Sequence, residues 1–320
     1  MEDIIKPVDR EAIIAELTEE NFLRHTSKGG NQLYVVDHRT APNIVREVGR
    51  LREVAFRTAG GGTGKTMDLD QYDLSDSPYQ QLIVWDAEDR EILAGYRLLK
   101  CSEGERDESG KLKSATSKLF ELSDQMVEEF LPITLELGRS FVQPQYQRGS
   151  QRKGLFALDN LWDGLASIMI DNPDLKYMFG KVTMYPHFNR EARNMILAFM
   201  KHFFPDPDSL VRPRVPLVSE KELAPHFDLF KGLSYKEARK VLGTEVKQHG
   251  EAIPPLINSY MSLTSTMRSF GTAENKAFGT VEETGILLKF DDVDPARKER
   301  YIHTYEDNAE YKGPLYRPEA

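Results

Sequence analysis

Apolar positions along the chain change period several times. Each change marks an element. Ile44, Val45, Val48, Leu51, Val54 and Ala55 recur at helical spacing behind Pro42, predicting a helix over 40–58 with Thr40 as its candidate cap. A short helix, "REAIIAEL", precedes it with Asp9 as cap, and "GGNQLYVVD" (29–37) reads as a turn entering a strand. Residues 79–100 read as two strands joined by a polar turn, and "DQMVEEFL" as a short helix. "ITLELGRSFVQP" (133–144) and "KYMFGKVTMYP" (176–186) follow as strands. Between them, "GLFALDNLWDGLASIMI" (154–170) puts Leu155, Leu158, Trp162, Leu165 and Met169 on one side of a helix. "REARNMILAFMKHFF" and "PPLINSYMSLTS" are further helices, and "GTVEETGILLKF" a last strand. With no repeat and no low-complexity linker, this alternation predicts one α/β domain over 1–294 with an elaborated C-terminal half. A charged tail over 295–320 is expected to wrap the domain or fray.

One stretch interrupts the pattern with glycine: "AGGGTGKT", residues 59–66. Gly64, Lys65 and Thr66 fit a G-x-x-x-x-G-K-[ST] phosphate loop, but Ala59 stands where the first glycine belongs. Such a loop must leave a strand and enter a helix, so that helix-start amides face the phosphates. This one leaves a helix, with Gly60 suited to a left-handed cap, and enters a segment carrying Asp68, Asp70, Asp73 and Asp76. The context favours a helix end and a mobile glycine loop over a nucleotide site.

Charge and composition narrow the function. A net charge of −9 argues against nucleic acid as a partner. The single cysteine, Cys101, excludes an intramolecular disulfide framework and a multi-cysteine metal site, and no cluster has zinc spacing. The acidic N-terminus does not read as a signal peptide, and no apolar stretch is long enough to span a bilayer. The expectation is a cytoplasmic protein, with a peripheral contact at the inner membrane face left open. There is no G-x-S-x-G elbow, and no histidine begins a His-x4-Asp motif.

Charged residues inside apolar strands are the candidate chemistry. Arg97 lies in "AGYRLL", and Glu136 and Arg139 in "LELGRSFV". Half-buried charges need partners, so these are either structural ion pairs with Asp70, Asp73 or each other, or catalytic groups. Residues 142–162 form a second constellation: a strand end, a turn with Arg148, Gly149, Arg152, Lys153 and Gly154, then a helix. That order suits an anion held by loop amides at a helix start, with a solvated basic turn as the alternative.

"ELGRSFVQPQYQRG" followed by an amphipathic helix resembles the central motif of the GNAT acyltransferase superfamily. Arg52 with Phe56, Asp68-x-Asp70-x-Tyr72-Asp73, "GYRLL" and "ELGR" are similar in order to the pattern of acyl-homoserine lactone synthases. The match is better to bacterial ornithine- and glycine-lipid N-acyltransferases, the hemolysin-like proteins, through Gly138–Tyr146 and through "IPPLINSYMSLTSTMRSFGTAENKAFGTVEETGILL". The resemblance spans about Leu51 to Phe290.

It implies a GNAT-like mixed, mostly antiparallel, splayed sheet flanked by helices. It implies transfer of a fatty acyl group from an acyl-carrier-protein thioester to the amine of glycine or ornithine, the first step of an amino-acid lipid. It implies no bound cofactor and no metal. The 4'-phosphopantetheine thioester of the carrier protein, or acyl-CoA, would be the co-substrate. The stretched "QRGSQRKG" loop fits the carrier protein better than coenzyme A. Glu136 would take the amine's proton. Amides near Phe141 and Val142 would hold the oxyanion, and Gln147, Arg148, Gly149, Arg152, Lys153 and Gly154 the phosphate. Arg97 and Arg139 would orient acids or clamp the acceptor carboxylate, and Asp70 and Asp73 would place the amine or hold those arginines. The glycine run becomes a lid delivering the two aspartates. Other readings are an acetyl-CoA-dependent N-acetyltransferase and a non-catalytic membrane-active protein.

Overall fold

A computed structural model describes residues 1–147 and 156–306. Its elements in chain order are α1 (Arg10–Ala15), β1 (Phe22–His25), β2 (Gln32–Val36), α2 (Pro42–Thr58), α3 (Gln71–Leu74), β3 (Gln80–Asp86) and β4 (Glu91–Lys100). Then follow β5 (Phe120–Leu122), β6 (Thr134–Val142), α4 (Pro144–Gln147), α5 (Ala157–Asp171), β7 (Tyr177–Met184) and α6 (Arg190–Phe203). The chain continues with β8 (Val211–Pro213), α7 (Glu220–Phe227), α8 (Tyr235–Gln248), α9 (Pro255–Leu263), β9 (Arg268–Asn275), β10 (Val281–Lys289) and α10 (Pro295–Glu306).

Eight strands form one sheet in the order β1-β2-β3-β4-β6-β7-β10-β9. Each neighbouring pair is antiparallel except β6 and β7, which run parallel. The expected mixed, mostly antiparallel α/β sheet flanked by helices is therefore the observed one. Both faces are covered, which explains the near-continuous apolar runs. On β3, Leu82 and Val84 pack beneath α5 and α6, while Ile83 and Trp85 pack beneath α2. A third cluster, with Phe120, Met126 and Phe179, closes one end under the β5–β8 ribbon.

The predicted long helices and strands are present, but two local expectations are corrected. Thr40 does not cap α2. Its hydroxyl donates to the Asp37 carbonyl, and the residue before the helix is Ala41, which makes no side-chain cap. The orphan amides of Asn43 and Ile44 are bound instead by the Glu16 carboxylate, 3.1 and 2.9 Å away, from outside the helix. "DQMVEEFL" is a π-turn over Met126–Phe130 run into a 3-10 turn, not an α-helix. β1, β9, α3, α7 and α8 lie outside the predicted elements. β1 carries a buried arginine, Arg24, and β9 a left-handed Gly271, so neither shows clean alternation.

The end of α2 is as read from the sequence: Gly60, at φ +92°, follows the last helical turn. The glycine run does not then become a phosphate cradle, because a carboxylate of the protein already fills it. Glu53 accepts from the amides of Thr63 (3.0 Å) and Gly64 (2.8 Å) and from the Thr63 hydroxyl (2.7 Å). Arg57 pairs with Glu53 at 2.6 Å and also donates to the Lys65 carbonyl. The amides of Glu2 and Ile5 reach Gly64 and Thr66, tying the N-terminal segment to this loop. Glu53 is buried, and its pKa is lowered because these donors outweigh desolvation. Glu53→Gln should cost about 1–3 kcal/mol in urea unfolding, since one carboxylate oxygen becomes a donor facing donors.

Candidate active site

The site forms where β6 leaves β7. These strands pair over four rungs only, Thr134↔Tyr177 to Leu137↔Gly180. The last rung requires glycine: a Cβ on Gly180 would lie 2.6 Å from the Leu137 carbonyl oxygen. From Gly138 onward that edge of β6 has no strand partner among the described residues, so the sheet is splayed as expected. On its other edge β6 shifts register against β4, with Gly95 opposite Phe141 but Arg97 opposite Gly138. The bulge places Arg139 at φ +53°, a conformation rare for a non-glycine residue. The splay opens a few residues ahead of Phe141 and Val142, the pair expected to flank it.

A buried ion network lies beside the opening. Arg52 reaches Asp68 at 3.0 Å and Asp73 at 3.0 Å, and none of the three side chains is exposed. Arg97 bonds Asp70 at 2.9 Å and Asp73 at 3.2 Å. Gln81 adds a hydrogen bond to Asp73 at 3.0 Å. Arg139 Nε sits 2.9 Å from Asp68 Oδ2, an ion pair whose angle does not make a hydrogen bond, and its guanidinium lies 3.8 Å over the Phe278 ring. Burial would raise Asp73, but the charges of Arg52 and Arg97 outweigh it and hold its pKa well below the carboxylate range. Burial lowers the Arg139 pKa, and repulsion from Arg97 and Arg52 adds to that against the pull of Asp68.

Asp70 and Asp73, the residues the lid is expected to deliver, lie at the start of α3. They form a capping box that starts α3, with the Asp70 carboxylate accepting from Tyr72 N and Asp73 accepting from Asp70 N. Arg97 thus forms ion pairs with both Asp70 and Asp73.

Glu136 stands apart from the arginines. It is buried, and its carboxylate accepts from the Tyr79 hydroxyl (2.8 Å) and the Thr116 amide (3.0 Å). Tyr79 in turn accepts from Ala115 N at 3.1 Å. Burial and the neighbouring Glu136 charge push the Tyr79 pKa well up, so it stays protonated as a donor. Burial does the same to the Cys101 thiol. That makes it an inert core residue rather than a nucleophile.

Two chambers meet at this point. The first, about 440 Å³, is lined by Glu136, Tyr79 and Glu283 and by the apolar groups of Leu137, Leu158, Leu256 and Tyr260. On β6, Glu136 and Leu137 point to opposite faces of the sheet, so this chamber crosses the sheet through the splay. Phe141, Val142 and Gln147 also line it, and Gln147 Nε2 donates to the Val142 carbonyl at 2.6 Å. The second chamber, about 610 Å³, holds Asp70, Tyr72, Lys118 and Glu274. Arg97, Ala115, Arg139, Lys181 and Phe278 line both and form the doorway between them. Glu136, Arg97 and Arg139 thus share the first chamber, while Asp73 supports it from behind. Arg148, Gly149, Arg152, Lys153 and Gly154 lie outside the described residues.

Tyr79, Thr116, Lys181 and Glu283 are absent from the sequence-derived candidates. Lys181 and Glu283 carried the signal that marked Arg97, a charge inside an apolar strand. Tyr79 and Thr116 carried none, since they reach Glu136 only through the tertiary fold.

Known proteins resemble this chain in sequence. The acetyltransferase (GNAT) domain family matches residues 51–157. Solved structures that align with the chain include the CoA-dependent acyl-homoserine lactone synthase BjaI, at 11% identity and a TM-score of 0.40, over 87% of this chain and 90% of that one. The synthase LasI aligns at 14% identity and 0.32, over 47% and 71%. The glycine N(alpha)-acyltransferase of Bacteroides thetaiotaomicron is 52% identical over 306 residues, covering 95% of this chain and 91% of that one. That of Phocaeicola vulgatus is 50% identical over 306 residues, covering 95% and 94%. The chain is an acyltransferase of the GNAT superfamily and belongs to the family of these glycine N(alpha)-acyltransferases.

Proposed function

We propose that the protein transfers a fatty acyl group from the phosphopantetheine thioester of an acyl carrier protein to the amine of glycine, beginning an amino-acid lipid. The observation that carries this is the position of Glu136, at the last paired rungs of β6 and β7, in the wall of a chamber lined by both charged and apolar side chains. The names of the two relatives support glycine over ornithine as acceptor.

Glycine's ammonium loses a proton to Glu136, directly or through a water. The free amine forms a bond to the thioester carbon. The oxyanion meets the amides of the unpaired β6 edge near Phe141 and Val142, and the Nε of Arg97, which is buried and makes no hydrogen bond among the described residues. The C–S bond then breaks. Of the two ammonium protons lost overall, one reaches the thiolate and the other solvent. The two terminal nitrogens of Arg139 bond none of the described residues and face an acceptor carboxylate. The apolar side chains of the first chamber take the acyl chain, and Gln147 with residues 148–154 takes the phosphate of the arm.

The test is mass spectrometry of the purified protein with a long-chain acyl-carrier-protein donor, the matching acyl-CoA, or acetyl-CoA, each with glycine and with ornithine. N-acylglycine from the carrier-protein donor is the expected product. N-acetylglycine as the sole product would establish the acetyltransferase reading, and no amide from any pair would remove the enzyme mechanism altogether.

A further inference from the structure

Lys181 is the first residue of β7 beyond the last rung shared with β6, so it stands on the lip of the splay. Its side chain is 11% exposed and lines both chambers. Its ammonium donates to the Thr116 hydroxyl at 3.2 Å. The Glu283 carboxylate lies 3.9 Å away, beyond hydrogen-bond reach, and accepts instead from Asn275 Nδ2 at 3.2 Å. Two of the three ammonium donors therefore bond nothing among the described residues.

Thr116 links this lysine to the proposed base. Its amide donates to Glu136 at 3.0 Å while its hydroxyl accepts from Lys181 at 3.2 Å. Base and ammonium are thus both tied to Thr116, one through its amide and the other through its hydroxyl. An α-amino acid likewise carries its amine and its carboxylate on one carbon. Of the doorway's other cations, Arg97 bonds Asp70 and Asp73, while Arg139, paired with Asp68 and stacked on Phe278, keeps its terminal nitrogens for a second contact to the same carboxylate. A thioester carbonyl carries no charge before attack. The anion that arrives at Lys181 in the ground state is the carboxylate of the acceptor.

We propose that Lys181 is the acceptor-selecting residue: its ammonium holds the acceptor's carboxylate at the doorway, so that an amine one carbon away meets Glu136. This rests on glycine being the acceptor. It goes further by requiring a free carboxylate and by naming the group that reads it. A charge-assisted hydrogen bond lost from a binding site corresponds to roughly a 10- to 100-fold change in affinity.

The experiment compares glycine with glycinamide as acceptors, at saturating acyl donor, for the wild-type chain, Lys181→Met and Lys181→Arg. In Lys181→Met the KM for glycine should rise about 10- to 100-fold, with a smaller change in kcat and an unchanged donor KM. The preference for glycine over glycinamide should fall by the same factor. Lys181→Arg, which keeps the charge, should restore part of it. An unchanged glycine preference in Lys181→Met overturns the proposal, as does a loss confined to kcat. The wild-type arm does not depend on any variant folding: equal use of glycine and glycinamide by the wild type also overturns it. Failure of wild type to acylate glycine at all removes the functional reading instead and takes this inference with it, so the two failures are distinguishable.

Discussion

Glu136→Gln lowers the rate of N-acylglycine formation by about 10²- to 10⁴-fold, the range ascribed to a positioned proton acceptor. The substitution keeps the size of the side chain and one oxygen for the Tyr79 hydroxyl or the Thr116 amide, which both now donate to the carboxylate. It removes the only proton-accepting charge directly held by these two donors. Donor binding should be preserved, because the place proposed for the thioester arm is the splayed edge and not the carboxylate. The measurement is single-turnover amide formation with a preloaded acyl donor, followed against pH. Wild type and variant should both gain rate as pH rises and the amine loses its proton, with the variant slower throughout. Glu283 is the competing carboxylate in the same chamber. If Glu283→Gln abolishes turnover while Glu136→Gln is near wild type, the base has been assigned to the wrong strand.

Asp73→Asn destabilises the fold by about 3–5 kcal/mol at neutral pH, the cost of removing one partner from a buried ion network. Asp73 receives Arg52, Arg97 and Gln81 at once, and its side chain and that of Arg52 are wholly buried. Asparagine fits the space but leaves two guanidinium groups short of one negative charge. The pH dependence identifies the cause. Because the folded pKa is depressed, the stabilisation is complete above the unfolded value of about 4 and is lost as pH falls through the lower folded value. Urea unfolding of wild type and variant should differ fully at neutral pH, and the difference should shrink below about pH 4. A gap that stays constant with pH would assign the loss to packing. Activity should fall as well, since Arg97 lines both chambers while bonded to Asp73.

The elements of this fold were legible where the sequence is strongly periodic. α2, α5 and α6, and strands β3, β4, β6, β7 and β10, follow from period and punctuation, because burial of one stripe or of both faces leaves a local pattern. Edge strands and short capped helices were less legible: β1 contains Arg24, β9 contains Gly271, and α7 has Pro225 inside it. In the candidate site, Arg97, Glu136 and Arg139 stood out as charges in apolar strands, and all three line one chamber. Lys181 and Glu283 obey the same rule, whereas Tyr79 and Thr116 obey none, since a hydrogen bond across 57 or 20 residues leaves no mark on local spacing.

The sequence by itself determined that "AGGGTGKT" follows a helix and so lacks the context of a phosphate loop, and that its buried charges must find partners. Only the tertiary structure decided which partners. Arg97 went to Asp70 and Asp73, Arg139 to Asp68, and Glu136 to a tyrosine and an amide. The same folding filled the glycine loop with Glu53. The reason is one of range. Helix ends and strand periods are set by neighbours a few residues apart. The pairing of charges depends on strand register, on a four-rung parallel ladder and on a bulge at Arg139, all fixed by contacts between distant segments.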